Sequence, residues 1–241
     1  MVANIKQATK LSTTELSTEE RNLLSVAYKN VVSVRRSSWR VVSSIEQRAE
    51  NRAASGSTSS SMQLPWINEF RGKIEAEITS ICNDIILLLD ENVLPLASSA
   101  ESKVYYLKMK GDYLRYLSEI NVTDARDAVS KKAQEAYQTA TDLAEKELPP
   151  INTTRLGLAL NYSVLYYEIL NEPKAACELA QKAFDDALHD IESVDDNTYK
   201  DSTMIMQLLK DNLLLWGNDA QEASNGGAAP AGAEADQTDK Q

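Results

Sequence analysis

Residues 21–48 read RNLLSVAYKNVVSVRRSSWRVVSSIEQR, and their reading decides the fold class of this chain. No proline or glycine interrupts them. Ala27, Val31, Val34, Val41, Val42 and Ile45 spread around a helical projection, which predicts one long helix packed on several sides. Ahead of it, Ser17-Thr18-Glu19-Glu20 fits a capping box, with Ser17 as N-cap and Glu20 reaching back from N3. The stretch holds six basic residues (Arg21, Lys29, Arg35, Arg36, Arg40, Arg48) and one acid, Glu46, inside a chain of formal net charge −11. At 100° per residue Lys29, Arg36 and Arg40 fall within about 40° of one another on one helix face. Two unit charges about 6 Å apart at an effective dielectric near 20 repel by roughly 2–3 kcal/mol, so the stripe requires acidic neighbours or an anionic ligand. A solvated, salt-bridged face is the ordinary alternative.

Outward from this helix the pattern stays helical. Val2, Ile5 and Ala8 carry a short helical pattern within residues 1–15. Residues 49–64 are small and polar and read as a connector, with Pro65 in the first turn of the next helix, which runs to about Asp90. Further helices are expected at about 99–120, 124–148, 153–170, 173–191 and 197–216, punctuated by Pro95, Pro149-Pro150 and Pro173. Four of the eight glycines lie beyond position 216. The expectation is an all-α bundle of about eight antiparallel helices over residues 1–216. Residues 217–241, with five carboxylates against Lys240, are expected to be a disordered acidic tail.

Composition narrows the function classes. A pI near 4.7 argues against general nucleic-acid binding, because the global field repels phosphate backbones, although a focused anion site remains open. The segment IILLLDENVLPL is broken by acids after five apolar residues, too short to span a membrane. Cys82 and Cys177 lie far apart within apolar helical patterns and read as core thiols of a reducing, cytoplasmic compartment. His189 is a lone surface histidine. No cluster has metal-ligand spacing and no glycine-rich phosphate loop occurs, so neither catalysis nor a cofactor is expected.

One further helix carries a second basic patch beside a phenol, and two others carry polar residues at odd places. In SKVYYLKMKGDYLRYLSEI, Lys108 and Arg115 lie seven apart with Asp112 between them and Tyr116 adjacent. Asp112 reads either as an orienting partner for Arg40 or Arg115, or as a plain i,i+3 helix pair. In RLGLALNYSVLYYEIL, Asn161 and Glu168 share a face near Leu160 and Val164. In MIMQLLKDNLLLW, Asn212 and Trp216 stand four apart beside Leu208. Each asparagine taken alone reads as a satisfied core amide. Together they read as one wall of a groove that holds a peptide backbone.

In order and spacing RNLLSVAYKNVVSVRRSSWRVVSSIEQ, SKVYYLKMKGDYLRYLSE, RLGLALNYSVLYYEIL and YKDSTMIMQLLKDNLLLW resemble the signature segments of the 14-3-3 family. The resemblance covers nearly the whole chain. It implies helices lining a concave amphipathic groove that binds phosphoserine or phosphothreonine peptides, in a dimeric cup. It implies a phosphate pocket at Arg36, Arg115 and Tyr116, with Lys29 and Arg40 beside it, and amide clamps at Asn161 and Asn212. Its other groove contacts fall on Lys108, Glu168, Leu160, Val164, Ile205, Leu208 and Trp216. The homodimer surface it implies lies around Ser38, Val42, Ile45, Phe70, Lys73 and Glu77. The family's first helix precedes the segment at which this chain begins, so that surface is expected to lack its usual cover. Arg35-Arg36-Ser37-Ser38 also reads as a basophilic kinase site, and the acidic tail is expected to compete for the groove. The expected function is a non-catalytic adaptor for phosphorylated proteins. The alternative is a helical scaffold or holdase for acidic or unphosphorylated partners.

Overall fold

The structure, a computed structural model, describes residues 1–121, 123–191 and 194–224. Among these residues it contains eight α-helices and no strand: α1 (Val2–Leu11), α2 (Thr18–Ala54), α3 (Thr58–Leu88), α4 (Ala100–Ile120), α5 (Thr123–Glu147), α6 (Thr153–Val164), α7 (Pro173–Asp190) and α8 (Asp196–Ser224). They fall into two compact units, Met1–Leu96 with Tyr116–Val129, and Ala97–Arg115 with Ser130–Gln241.

In the first unit the expected capping box starts α2: the Glu20 N–H donates to the Ser17 hydroxyl at 3.2 Å, and the Ser17 N–H to the Glu20 carboxylate at 2.8 Å. The helix continues well beyond Arg48, and the expected connector shrinks to Ser55-Gly56-Ser57. Gly56, at φ 92°, supplies the left-handed turn that a side chain would strain. Ser57 then caps α3, its hydroxyl accepting from the Ser60 N–H. Pro65 therefore sits well inside α3 instead of in its first turn, where its missing N–H leaves the helix one ladder bond short. The small polar residues of 49–64 do not break a helix once both flanking runs are anchored by packing. At the other end α3 passes through a π-helical turn, Leu89–Val93, and a short 3₁₀ turn, Leu94–Leu96.

The core of this unit lies between α2 and α3, where Leu24, Ala27, Tyr28 and Val32 meet Ile74, Ile78, Cys82 and Ile85, all buried. Cys82 and Cys177 are free thiols. Asp84 ties three helices together: Lys6 of α1 donates to one carboxylate oxygen and the Tyr28 hydroxyl of α2 to the other at 2.7 Å. No periodicity marks such a node.

In the second unit α6, α7 and α8 close around Leu156, Leu160, Val164, Ile205, Met206, Leu209 and Trp216. Three fully buried alanines of α7, Ala176, Ala180 and Ala187, allow a close approach. Asn152 caps α6 by accepting from the Thr154 and Arg155 N–H groups at 2.9 and 3.1 Å. After Val164 the helix widens into a π-helical turn, Leu165–Ile169, and Asn171, at φ 55°, ends it. Helix α8 runs on through Gly217 to Ser224, although the sequence places the start of the tail at residue 217. One glycine costs a helix only about 1 kcal/mol, and good helix formers follow it. The rest of the expected tail, residues 225–241, lies outside the described residues.

Burial pushes the Asp84 carboxyl up, but the hydrogen bonds from Lys6 and Tyr28 outweigh it and leave the group below its ordinary range. A group depressed in this way stabilises the fold above its unfolded pKa, near 4, and the contribution disappears as pH falls through the folded value. Asp84→Asn is expected to lower stability by about 1–3 kcal/mol at pH 7 in urea denaturation. The gap to the parent protein should narrow steadily below about pH 4.

Candidate functional site

The candidate residues divide between the two units. In the first, Arg36 of α2 is buried, and its guanidinium forks the Glu119 carboxylate: Nε donates to Oε2 at 3.0 Å and Nη2 to Oε1 at 2.7 Å. The same guanidinium lies 3.8 Å from the centroid of the Tyr116 ring. Arg40, one helical turn further, reaches Glu119 less closely at 3.9 Å and is more exposed. Lys29, two turns before Arg36, is half-buried. The acidic neighbour that the stripe requires is therefore Glu119, a residue the sequence reading did not select. Its signal was available: an acid three positions after Tyr116 on a basic face. One carboxylate is shared between two arginines, and the fork fixes the plane of the Arg36 guanidinium as no lysine would. Fully buried Cys82 responds to both partners. Burial pushes its thiol up to about 12, Arg36 opposes the rise and Glu119 adds to it.

The residues expected at a partner surface also lie in this unit. Ile45 and Phe70 are exposed, as is Ser38, whose hydroxyl donates to the Val34 carbonyl at 2.9 Å. Lys73 pairs with Glu69 and Glu77 with Arg35. Val42 is the exception, because it is buried within the unit; its neighbour Val41 and the earlier Val34 carry the exposed apolar area instead. Met62 and Trp66 add to it from α3.

In the second unit Asp112 organises the polar residues. Its Oδ2 accepts from Lys108 Nζ at 3.0 Å, and its Oδ1 accepts from Asn161 Nδ2 at 2.8 Å and from the Tyr137 hydroxyl at 2.5 Å. Lys108 is held above its ordinary pKa: burial pulls it down, and the Asp112 charge more than compensates. Arg115, also buried, lies one turn further along α4. Asp112 thus pairs at i,i−4 with Lys108 and across helices with Asn161, which neither sequence reading of it anticipated. Tyr137 was not selected from the sequence, since a buried tyrosine on an amphipathic helix looks like core.

The apolar wall differs more from expectation. Leu160, Val164, Ile205 and Trp216 are buried in the α6–α8 core, Trp216 stacked on Tyr167 with centroids 4.7 Å apart. Leu208 is partly buried, and Glu168 is exposed on the π-helical turn. The Asn212 amide nitrogen has no hydrogen-bond partner among the described residues. Met204 and Leu215 share the face of α8 that carries Leu208 and Asn212, at i, i+4, i+8 and i+11, and both are exposed. That spacing is present in the sequence, whereas Ile205 and Trp216, the contacts the resemblance implies on this helix, lie in the core.

The family model described as 14-3-3 protein matches residues 1–217. The chain is 54% identical over 220 residues to "14-3-3-like protein 2" of Caenorhabditis elegans, covering 91% of this chain and 85% of that one. It is 53% identical to "Protein BMH2" of Saccharomyces cerevisiae, covering 92% and 80% respectively. It is also 50% identical over 240 residues to "Checkpoint signal transducer rad25" of Schizosaccharomyces pombe, covering 99% and 86%.

Removing one member of a buried ion pair strands the other charge. Glu119→Ala is expected to destabilise the fold by about 3–5 kcal/mol in denaturant titrations, and the double substitution Arg36→Met, Glu119→Leu should recover most of that loss.

Proposed function

We infer that this chain, which belongs to the 14-3-3 family, is an adaptor that binds phosphoserine- and phosphothreonine-containing segments of client proteins. By holding them it regulates the clients' activity, location or interactions. The observation that carries the reading is the cation set of α2 and α4 in a chain of net charge −11: Lys29, Arg36 and Arg40, with Arg115 directly before Tyr116. A phosphate monoester brings nearly two negative charges and three strong acceptors, which arginine forks and a phenol can meet together. A charge-assisted hydrogen bond contributes about 1.5–3 kcal/mol, so two of them separate a phosphorylated from an unphosphorylated segment by roughly two to four orders of magnitude.

We assign the phosphate to Lys29, Arg36, Arg40, Arg115 and Tyr116, and the peptide backbone to the amides of Asn161 and Asn212. Lys108 and Glu168 contribute further polar contacts. Apolar contact is assigned to Met204, Leu208 and Leu215, ahead of buried Ile205 and Trp216. The function is binding, without a catalytic step. Among the described residues no helix is long and apolar enough to cross a membrane, and no group of side chains has the make-up of a metal site.

We further propose that two copies pair through α2 and α3 of the first unit. Exposed Val34, Val41, Ile45, Trp66 and Phe70 support this, since lone exposed apolar residues are common but five on one helix pair are not.

Fluorescence anisotropy of a labelled arginine-rich phosphoserine peptide and its unphosphorylated twin tests the adaptor reading. At least a hundredfold preference for the phosphorylated form is expected, falling by about tenfold or more in Lys29→Ala. Equal affinity for the two peptides in folded protein would reject the reading. For the pairing, Phe70→Lys with Ile45→Glu should convert a sedimenting dimer to a monomer while leaving peptide affinity within about twofold.

A further inference from the structure

The hydroxyl of Tyr137 is a buried polar group that the recognition chemistry above does not use. It stands on α5, yet its position is built in from other helices. A Cβ on Gly111 of α4 would lie 2.7–2.9 Å from three carbons of the Tyr137 ring, so glycine lets the ring rest against the α4 backbone. Tyr162 of α6 stacks on the ring at 5.4 Å between centroids, and Tyr166 continues the stack at 4.8 Å. From that seat the hydroxyl donates to Asp112 Oδ1 at 2.5 Å. Burial pushes the phenol up, the Asp112 charge adds to the rise and Arg115 only partly opposes it, so the group stays a donor at neutral pH.

Three donors on three helices therefore hold one carboxylate, Lys108 on Oδ2 and Tyr137 with Asn161 on Oδ1. A carboxylate gripped at both oxygens cannot turn about its own torsions. The Asn161 amide that donates to it is fixed in turn, with Nδ2 inward and Oδ1 left as an acceptor.

We propose that Tyr137 is a positioning residue for peptide binding: through Asp112 it orients the Asn161 amide so that its carbonyl oxygen meets a backbone N–H of the bound segment. This rests on the adaptor reading. Tyr137 touches no peptide itself; it sets the geometry of a group that does.

Tyr137→Phe keeps the ring, its seat on Gly111 and the stack, and deletes one hydroxyl. The test is a double-mutant cycle with Asn161→Ala, read by anisotropy with the same phosphoserine peptide and its unphosphorylated twin. Tyr137→Phe alone is expected to weaken phosphopeptide binding about tenfold, and to change it less than about twofold when Asn161 is already alanine. A purely structural role predicts the same loss in both backgrounds, and that result, or unchanged affinity of the single variant, overturns the proposal. A second readout covers any loss of stability: in the unliganded protein the Asn161 side-chain NH₂ resonances, identified by their absence in Asn161→Ala, should shift in Tyr137→Phe. Unmoved resonances overturn the proposal as well. A failure of the adaptor reading is seen separately, in the parent protein, as equal binding of the two peptides before any variant is compared.

Discussion

Charge removed from water has to be met by charge, and most of the organisation of this molecule follows from how that condition is satisfied. Burying an unpaired ion costs several kcal/mol, more than most single contacts return, so each buried charged group selects a partner of opposite sign and fixes its geometry. Arg36 is met by Glu119 through a two-bond fork, and Asp112 is met by Lys108 with two neutral donors completing its shell. In the first unit a cation is buried with one carboxylate shared between two arginines. In the second an anion is buried under an excess of donors. The Asp84 node, in contact with solvent, follows the same rule with less at stake.

These pairings favour recognition over stability. A well-packed apolar trio in place of a buried ion pair often holds a fold as well or better. Pre-set guanidinium planes and a clamped amide offer what apolar packing cannot, namely hydrogen-bonding groups whose ordering cost has been met before a ligand arrives. A phosphorylated segment then loses mainly its own freedom on binding. On the proposed assignment, the exposed apolar residues of α8, Met204 and Leu215, would add affinity with little dependence on client sequence.

Backbone detail supports this arrangement at a few positions. Gly111 admits a ring that any side chain would displace, and the π-helical turn after Val164 redirects the residues that follow the Asn161 face. Pro65 inside α3 and the long α2 show that local preference yields where two helices bury a continuous face against each other. The alanines of α7 have the complementary role, since their small size brings α6 and α8 close enough to enclose Trp216.

The helical class, the capping box at Ser17, the start of α7 at Pro173 and the basic stripe of Lys29, Arg36 and Arg40 are legible in the sequence, because each depends on neighbours within about three turns of one helix. It also marked Asn161 and Asn212 as polar groups at odd places among apolar neighbours, and Lys108 with Arg115 as a second basic patch. Tertiary structure settled the partners that come from other helices, since Glu119 and Tyr137 reach Arg36 and Asp112 from positions 83 and 25 residues away along the chain. It decided as well that Ile205, Trp216 and Val42 turn into cores while Met204, Leu215 and Val41 face outward. A helical period places a residue on a face to within some tens of degrees. Whether that face meets solvent or another helix is set by packing at distances the period does not encode.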